Sequence, residues 1–213
     1  MDMGKKERKL TPKEQKRKEK FEELSSEMIK MGYKKTDLTL GTLTANLLAI
    51  PIMLPFMALG LLIFKLTQAN VKIIIMIEIF DLIILFGILL VLIVIHELIH
   101  GLTWGAFAKN HFKSIDFGFI WSTLTPYCTC NETLKKWQYI LGGLMPTLVL
   151  GFGILAAACI LHNIFLFMIA ELMIVSGGGD FLIVFKILLY KSKENDVYYY
   201  DHPYECGVVV FEK

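Results

Sequence analysis

Four long apolar runs, over about 43–64, 73–107, 137–161 and 164–190, interrupt an otherwise charged chain. A helix needs about 20 residues to cross roughly 30 Å of hydrocarbon, so each run is long enough to span a membrane. Composition supports this: 55% of residues are apolar and 20% charged, with a mean hydropathy of +0.56, whereas soluble chains average about 25% charged. An ordinary soluble domain is excluded. The expected fold is an all-α membrane protein of about four transmembrane helices. Its core covers 41–190, between a charged segment at 1–40 and a tail at 191–213. Pro51 and Pro55 predict a kink in the first span. The second run exceeds one span, which puts Glu78 and Asp81 at an interface. In the third, Gly142, Gly143, Pro146, Gly151 and Gly153 permit close helix contact or a break.

Charge sets the expected orientation. Of the 22 Lys and Arg, 12 fall at or before Lys35, and the loop between spans two and three holds Lys109, Lys113, Lys135 and Lys136. The opposite loops carry Lys65 and Lys72, and His162 with Asn163. Basic loops stay inside, so a multi-pass cell-membrane protein with both termini cytosolic is predicted. Acidic residues interspersed through 1–40 argue against a nucleic-acid partner. Phe21, Leu24, Met28 and Met31 recur at helical spacing and predict a helix near the membrane surface. The segment 112–123 alternates Ile115, Phe117, Phe119 and Trp121 with Asp116, Gly118 and Ser122. It reads as one or two strands, a short β-like loop on the cytosolic side. Asn131 reads as an N-cap for span three, with Glu132 in its first turn. Val208 to Phe211 could form one strand. Cys128, Cys130, Cys159 and Cys206 suggest reduced, packed thiols rather than disulfides.

The chemistry lies in span two, at His96-Glu97-Leu98-Ile99-His100. Residues four apart on a helix share a face, so both imidazoles can reach one ion, and Glu97 can serve as general base to water there. An ionisable group in a span costs about 2.5 to 3.5 kcal/mol on insertion scales and marks function by default. A catalytic zinc usually takes three protein ligands. Of the acids in span four, Asp180 matches the histidines in depth, while Glu171 lies nine residues earlier, about 13 Å further from the cytosolic side. The glycines at Gly177, Gly178 and Gly179 would let another helix approach closely.

These residues resemble the site-2 protease group of intramembrane zinc metalloproteases. More closely, Thr125-Pro126-Tyr127-Cys128, Gly143-Leu144-Met145-Pro146 and the Gly-Gly-Asp ending at Asp180 resemble a family of small, mostly bacterial zincin-type membrane proteins, over about 85–186. The resemblance implies His96, His100 and Asp180 as Zn2+ ligands and Glu97 as catalytic base. The expected activity is hydrolysis of membrane-associated peptide or protein substrates near the cytosolic side of the lipid bilayer. Ile115, Phe117 and Phe119 are candidates for holding an extended substrate by strand addition. The competing readings are a non-proteolytic carrier or partner subunit with a buried metal or proton site, and a zinc hydrolase acting on a lipid or prenylated peptide.

Overall fold

The computed structural model describes residues 10–68, 78–121 and 124–213. The start of the second apolar run, Lys72, Ser122 and Thr123 lie outside the described residues. Helix α1 (Pro12–Lys30) opens with a capping box, the Thr11 hydroxyl accepting from Glu14 N–H while Glu14 reaches back, and with Pro12 in its first turn. Strand β1 (Lys34–Asp37) follows. Helices α2 (Thr42–Thr67) and α3 (Ile79–Phe107) are each long and apolar enough to cross a membrane. Helix α2 runs through Pro51 and Pro55. Glu78 and Asp81 form the capping box that starts α3, which puts both acids to use at the helix end. Along α3, Ile79, Phe80, Ile83, Phe86, Leu90 and Val94 remain exposed, an apolar belt suited to hydrocarbon.

A 3-10 turn (His111–Ser114) leads into strands β2 (Ile115–Ile120) and β3 (Thr125–Cys130), paired antiparallel with Phe117 opposite Cys128. The third apolar stretch comprises α4 (Lys136–Pro146), a π-helical turn (Thr147–Phe152) and α5 (Gly153–Leu161), together 26 residues. The fourth is broken: α6 (Ile164–Ser176) and α7 (Gly178–Leu189) meet at Gly177 with a 44° bend. Among the described residues, three helices are thus long and apolar enough to span a membrane, or four when the bent pair counts as one span. Strands β4 (Val197–Asp201) and β5 (Val208–Glu212) complete a three-stranded sheet of order β1-β5-β4.

The chain is mostly helical, as expected, and five described strands in two small sheets add to the short β-like loop. Val208 to Phe211 show no alternation because β5 is central, paired on both edges and buried on both faces; strands covered on both faces read as continuous apolar runs. One face is covered by α1, whose Phe21, Leu24 and Met28 pack on Tyr200, Val209 and Phe211. The apolar stripe of α1 is therefore spent on the sheet, and Met31 alone of the four stays exposed. Asn131 is not an N-cap: α4 starts at Lys136, and the Asn131 side chain donates to Asp116 at 2.7 Å. Glu132 instead closes the turn after α3, accepting from Lys109 N–H at 2.6 Å, Asn110 Nδ2 at 2.6 Å and Ser114 Oγ at 2.6 Å. Burial alone would raise its carboxyl, but these hydrogen bonds hold it below the usual range.

Small residues place the hairpin. A Cβ on Gly101 would lie 2.7 Å from the Phe117 ring and 3.0 Å from Ile115, and one on Gly105 would lie 3.5 Å from Ile115. These two glycines, one turn apart on α3, let the hairpin fold back along the helix. That carries β3 beside the histidines.

Candidate metal centre

His96 and His100 are buried, one turn apart on α3, with ring centroids 4.9 Å from each other. Asp180 sits in the first turn of α7, where helix N-termini favour a carboxylate. Its Oδ2 lies 3.2 Å from His96 Nε2 and 3.3 Å from His100 Nε2. The structure thus brings together the three residues expected as ligands, and their ligating atoms all fall within 4.8 Å of one another. Glu171 does not join them and faces Gly60 on α2.

The broken fourth span explains how a short Asp side chain reaches α3. A Cβ on Gly178 would lie 2.8 Å from the Ala49 carbonyl on α2, and one on Gly177 would lie 1.8 Å from Thr147 Oγ1. Both glycines are sites of close approach, as expected. Gly179 has nothing within 4 Å and borders the cavity instead.

The imidazole of His100 is held from three sides. Its Nδ1 lies 2.9 Å from the Gly142 carbonyl, which can only accept, so Nδ1 carries the proton and Nε2 of a neutral ring presents its lone pair toward Asp180. Trp104, one turn further along α3, stacks on the ring at 4.9 Å and 15°. Trp104 is in turn fixed by Nε1–H donating to the Tyr139 carbonyl at 3.1 Å. A backbone carbonyl bonded to the far ring nitrogen of a histidine is a usual support of a metal ligand. Ligand atoms about 2.0–2.2 Å from a tetrahedral zinc lie about 3.3–3.5 Å from one another, which the two Nε2 to Oδ2 separations of 3.2 and 3.3 Å approach closely. The donor set therefore fits a zinc ion.

Glu97 lines the same cavity, of about 420 Å³, together with Cys128 of β3. Cys130 N–H donates to buried Asp201 at 2.7 Å, and Asp201 also accepts from the Tyr139 hydroxyl. The two hairpin cysteines are buried packing residues. Burial pushes the Cys130 thiol up to about 12 and Cys128 higher, so neither offers a thiolate. Ile115 and Phe117 pack against α3, and Phe119 sits against Trp121. None of these three lines the cavity; the hairpin wall is formed by Ile120 and by 125–129 of β3.

Trp104 was signalled by its spacing of four from His100. Gly142, Tyr139 and Asp201 were not, since their roles depend on a backbone carbonyl and on pairing of the distant tail.

Burial is the main influence on Asp201 and raises its carboxyl to about 6, against the lowering effect of the Tyr139 and Cys130 hydrogen bonds. An unfolded Asp titrates near 4, so between about pH 4 and 6 the folded chain holds a proton that the unfolded chain releases. This contribution to stability is fully present below about pH 4 and is lost as pH rises through about 6. The expected result is a thermal midpoint in detergent that falls from pH 5 to pH 7, with the slope flattened in Asp201→Asn. An unaltered slope in that variant would assign the pH dependence to other groups.

Membrane-length helices around a His-His-Asp cluster, with a glutamate alongside, define a mostly helical protein with a group of side chains that could hold a metal ion. Residues 89–194, about half of the chain, match the family described as "Putative zincin peptidase", and through them the chain belongs to that family. The chain matches no curated protein and no solved structure.

Proposed function

We propose that this protein is a zinc-dependent intramembrane metallopeptidase of the site-2 protease kind. It would hydrolyse peptide bonds of membrane-associated substrates near the cytosolic side. The observation that carries the reading is Asp180 Oδ2 at 3.2 and 3.3 Å from two Nε2 atoms, beside Glu97 in one cavity. When bound, zinc lowers the pKa of water toward about 7 and polarises a carbonyl. His100 holds its lone pair on target through Gly142 and Trp104, so no reorganisation is needed at binding. Glu97, in the same cavity as the two histidines and Asp180, takes a proton from water and passes it to the leaving amine. The basic amino-terminal segment and the lysines between α3 and α4 support a cytosolic placement of this end.

An extended substrate needs a strand edge with unspent donors. On β3, Pro126 has no N–H, Cys128 lines the cavity beside Glu97 and Cys130 N–H meets Asp201. Alternation in an antiparallel pair turns the backbone groups of Phe117 and Phe119 to the outer edge of β2. We propose that edge for strand addition by a part of the substrate remote from the bond cleaved, and unchanged cleavage by a Phe119→Pro variant would exclude it.

The test is cleavage of a bilayer-embedded peptide by the protein in liposomes. Chelation should abolish turnover, and Glu97→Gln should lower the rate by about 10²- to 10⁴-fold, the usual contribution of a general base. Metal binding with no turnover, and none of it dependent on Glu97, would favour a metal or proton carrier instead.

A further inference from the structure

Helix α1 contributes to the cavity a buried cation that the metal centre does not use. Arg17 is 5% exposed and lines the same cavity as His96, Glu97 and Asp180. Its Cζ lies 4.7 Å from the centre of the Tyr127 ring, and Nη1–H reaches Thr129 Oγ1 over a long 3.4 Å. Among the described residues, Nε–H is buried with no acceptor and no carboxylate forms an ion pair with the guanidinium. Buried charges are normally paired, and a buried donor left unmet costs about 1–3 kcal/mol, more for a charged group. Asp201, the buried carboxylate on the cavity wall, already accepts from Cys130 N–H and Tyr139.

The position of this cation relative to Glu97 is fixed by one strand. Tyr127 and Thr129 project from the same side of β3 and hold the guanidinium. Cys128, between them, lines the cavity beside Glu97. A peptide of a few extended residues, at about 3.3 Å each, can therefore reach both. With Nη1 turned to Thr129, the fork that includes Nε remains, and a guanidinium fork matches a carboxylate with two parallel N–H donors.

We propose that Arg17 binds a carboxylate of the peptide substrate, carried by an acidic side chain or the chain terminus within a few residues of the bond cleaved. The proposal rests on the peptidase reading above, and its test reads binding alone. Glu97→Gln protein in detergent is titrated with fluorescein-labelled neutral decapeptides that have blocked ends. One series replaces Gln by Glu at each position in turn, and another leaves the carboxyl terminus free. At one position, or with the free terminus, anisotropy should show binding about ten- to a hundredfold tighter than that of the matched neutral peptide. This ratio should collapse toward one when Arg17→Gln is added. Arg17→Lys keeps the charge without the fork and should lower the ratio several-fold, carrying the test if the Gln variant does not fold.

Equal binding of acidic and neutral peptides at every position overturns the proposal, as does a ratio that persists in both Arg17 variants. So does loss of the ratio on adding phosphatidylglycerol vesicles but not phosphatidylcholine vesicles, which would make Arg17 a lipid-phosphate site. Absence of hydrolysis by the wild type would sink the peptidase reading and leave the measured ratio standing.

Discussion

His100→Ala should lower zinc affinity by more than about 100-fold, beyond the 10- to 100-fold typical of losing an outer-shell partner. The ring supplies one ligating atom, 3.3 Å from Asp180 Oδ2, and is also the surface on which Trp104 stacks. Its removal therefore leaves a two-residue site and opens a gap beside Trp104. His96→Ala should match it in zinc loss but disturb packing less, because His96 stacks on no tryptophan. Zinc titration against a competing chelator, with thermal midpoints in parallel, separates the two effects. Wild-type affinity in either variant would exclude that histidine as a ligand.

Gly142→Val should be among the most damaging substitutions of a residue that neither ligates nor reacts. A Cβ at this position would fall 2.0 Å from Trp104 Nε1 and 2.1 Å from its Cδ1, closer than any real contact. Either the indole or α4 must move. Moving the indole breaks its bond to the Tyr139 carbonyl and its stack on His100, while moving α4 withdraws the Gly142 carbonyl from His100 Nδ1. Overpacking of this kind costs about 1–3 kcal/mol, sometimes more. The expected outcome is a lowered thermal midpoint together with zinc affinity weakened about 10- to 100-fold. A destabilised variant that kept full zinc affinity would show that the glycine serves packing alone and that the carbonyl does not orient His100.

The convergence of His96, His100 and Asp180 was legible because it is local. Helical spacing alone puts His96 and His100 on one face, and depth along two spans selects Asp180 over Glu171. The apolar runs were legible for the same reason, being continuous in sequence. What escaped depends on contacts between distant segments. Strand β5 pairs with β1 across more than 170 residues, and its burial on both faces erases the alternation that would have marked it. The bend at Gly177 was legible only as glycines, because close approach and a broken helix call for the same residue. The substrate candidates on β2 alternate as a strand should, yet that face is spent on Gly101 and Gly105 of α3. Arg17 was one cation within a basic run, and only the packing of α1 over β3 singles it out.

In the proposed function His96, His100 and Asp180 together hold one metal ion. X-ray absorption at the zinc edge of the purified protein tests it most directly. One zinc per chain is expected in a four-coordinate shell of nitrogen and oxygen, with two imidazole signatures at about 2.0–2.1 Å and a carboxylate oxygen at about 2.0–2.2 Å. Sulfur at about 2.3 Å, which would implicate the cysteines, or a single imidazole in the shell, would contradict it.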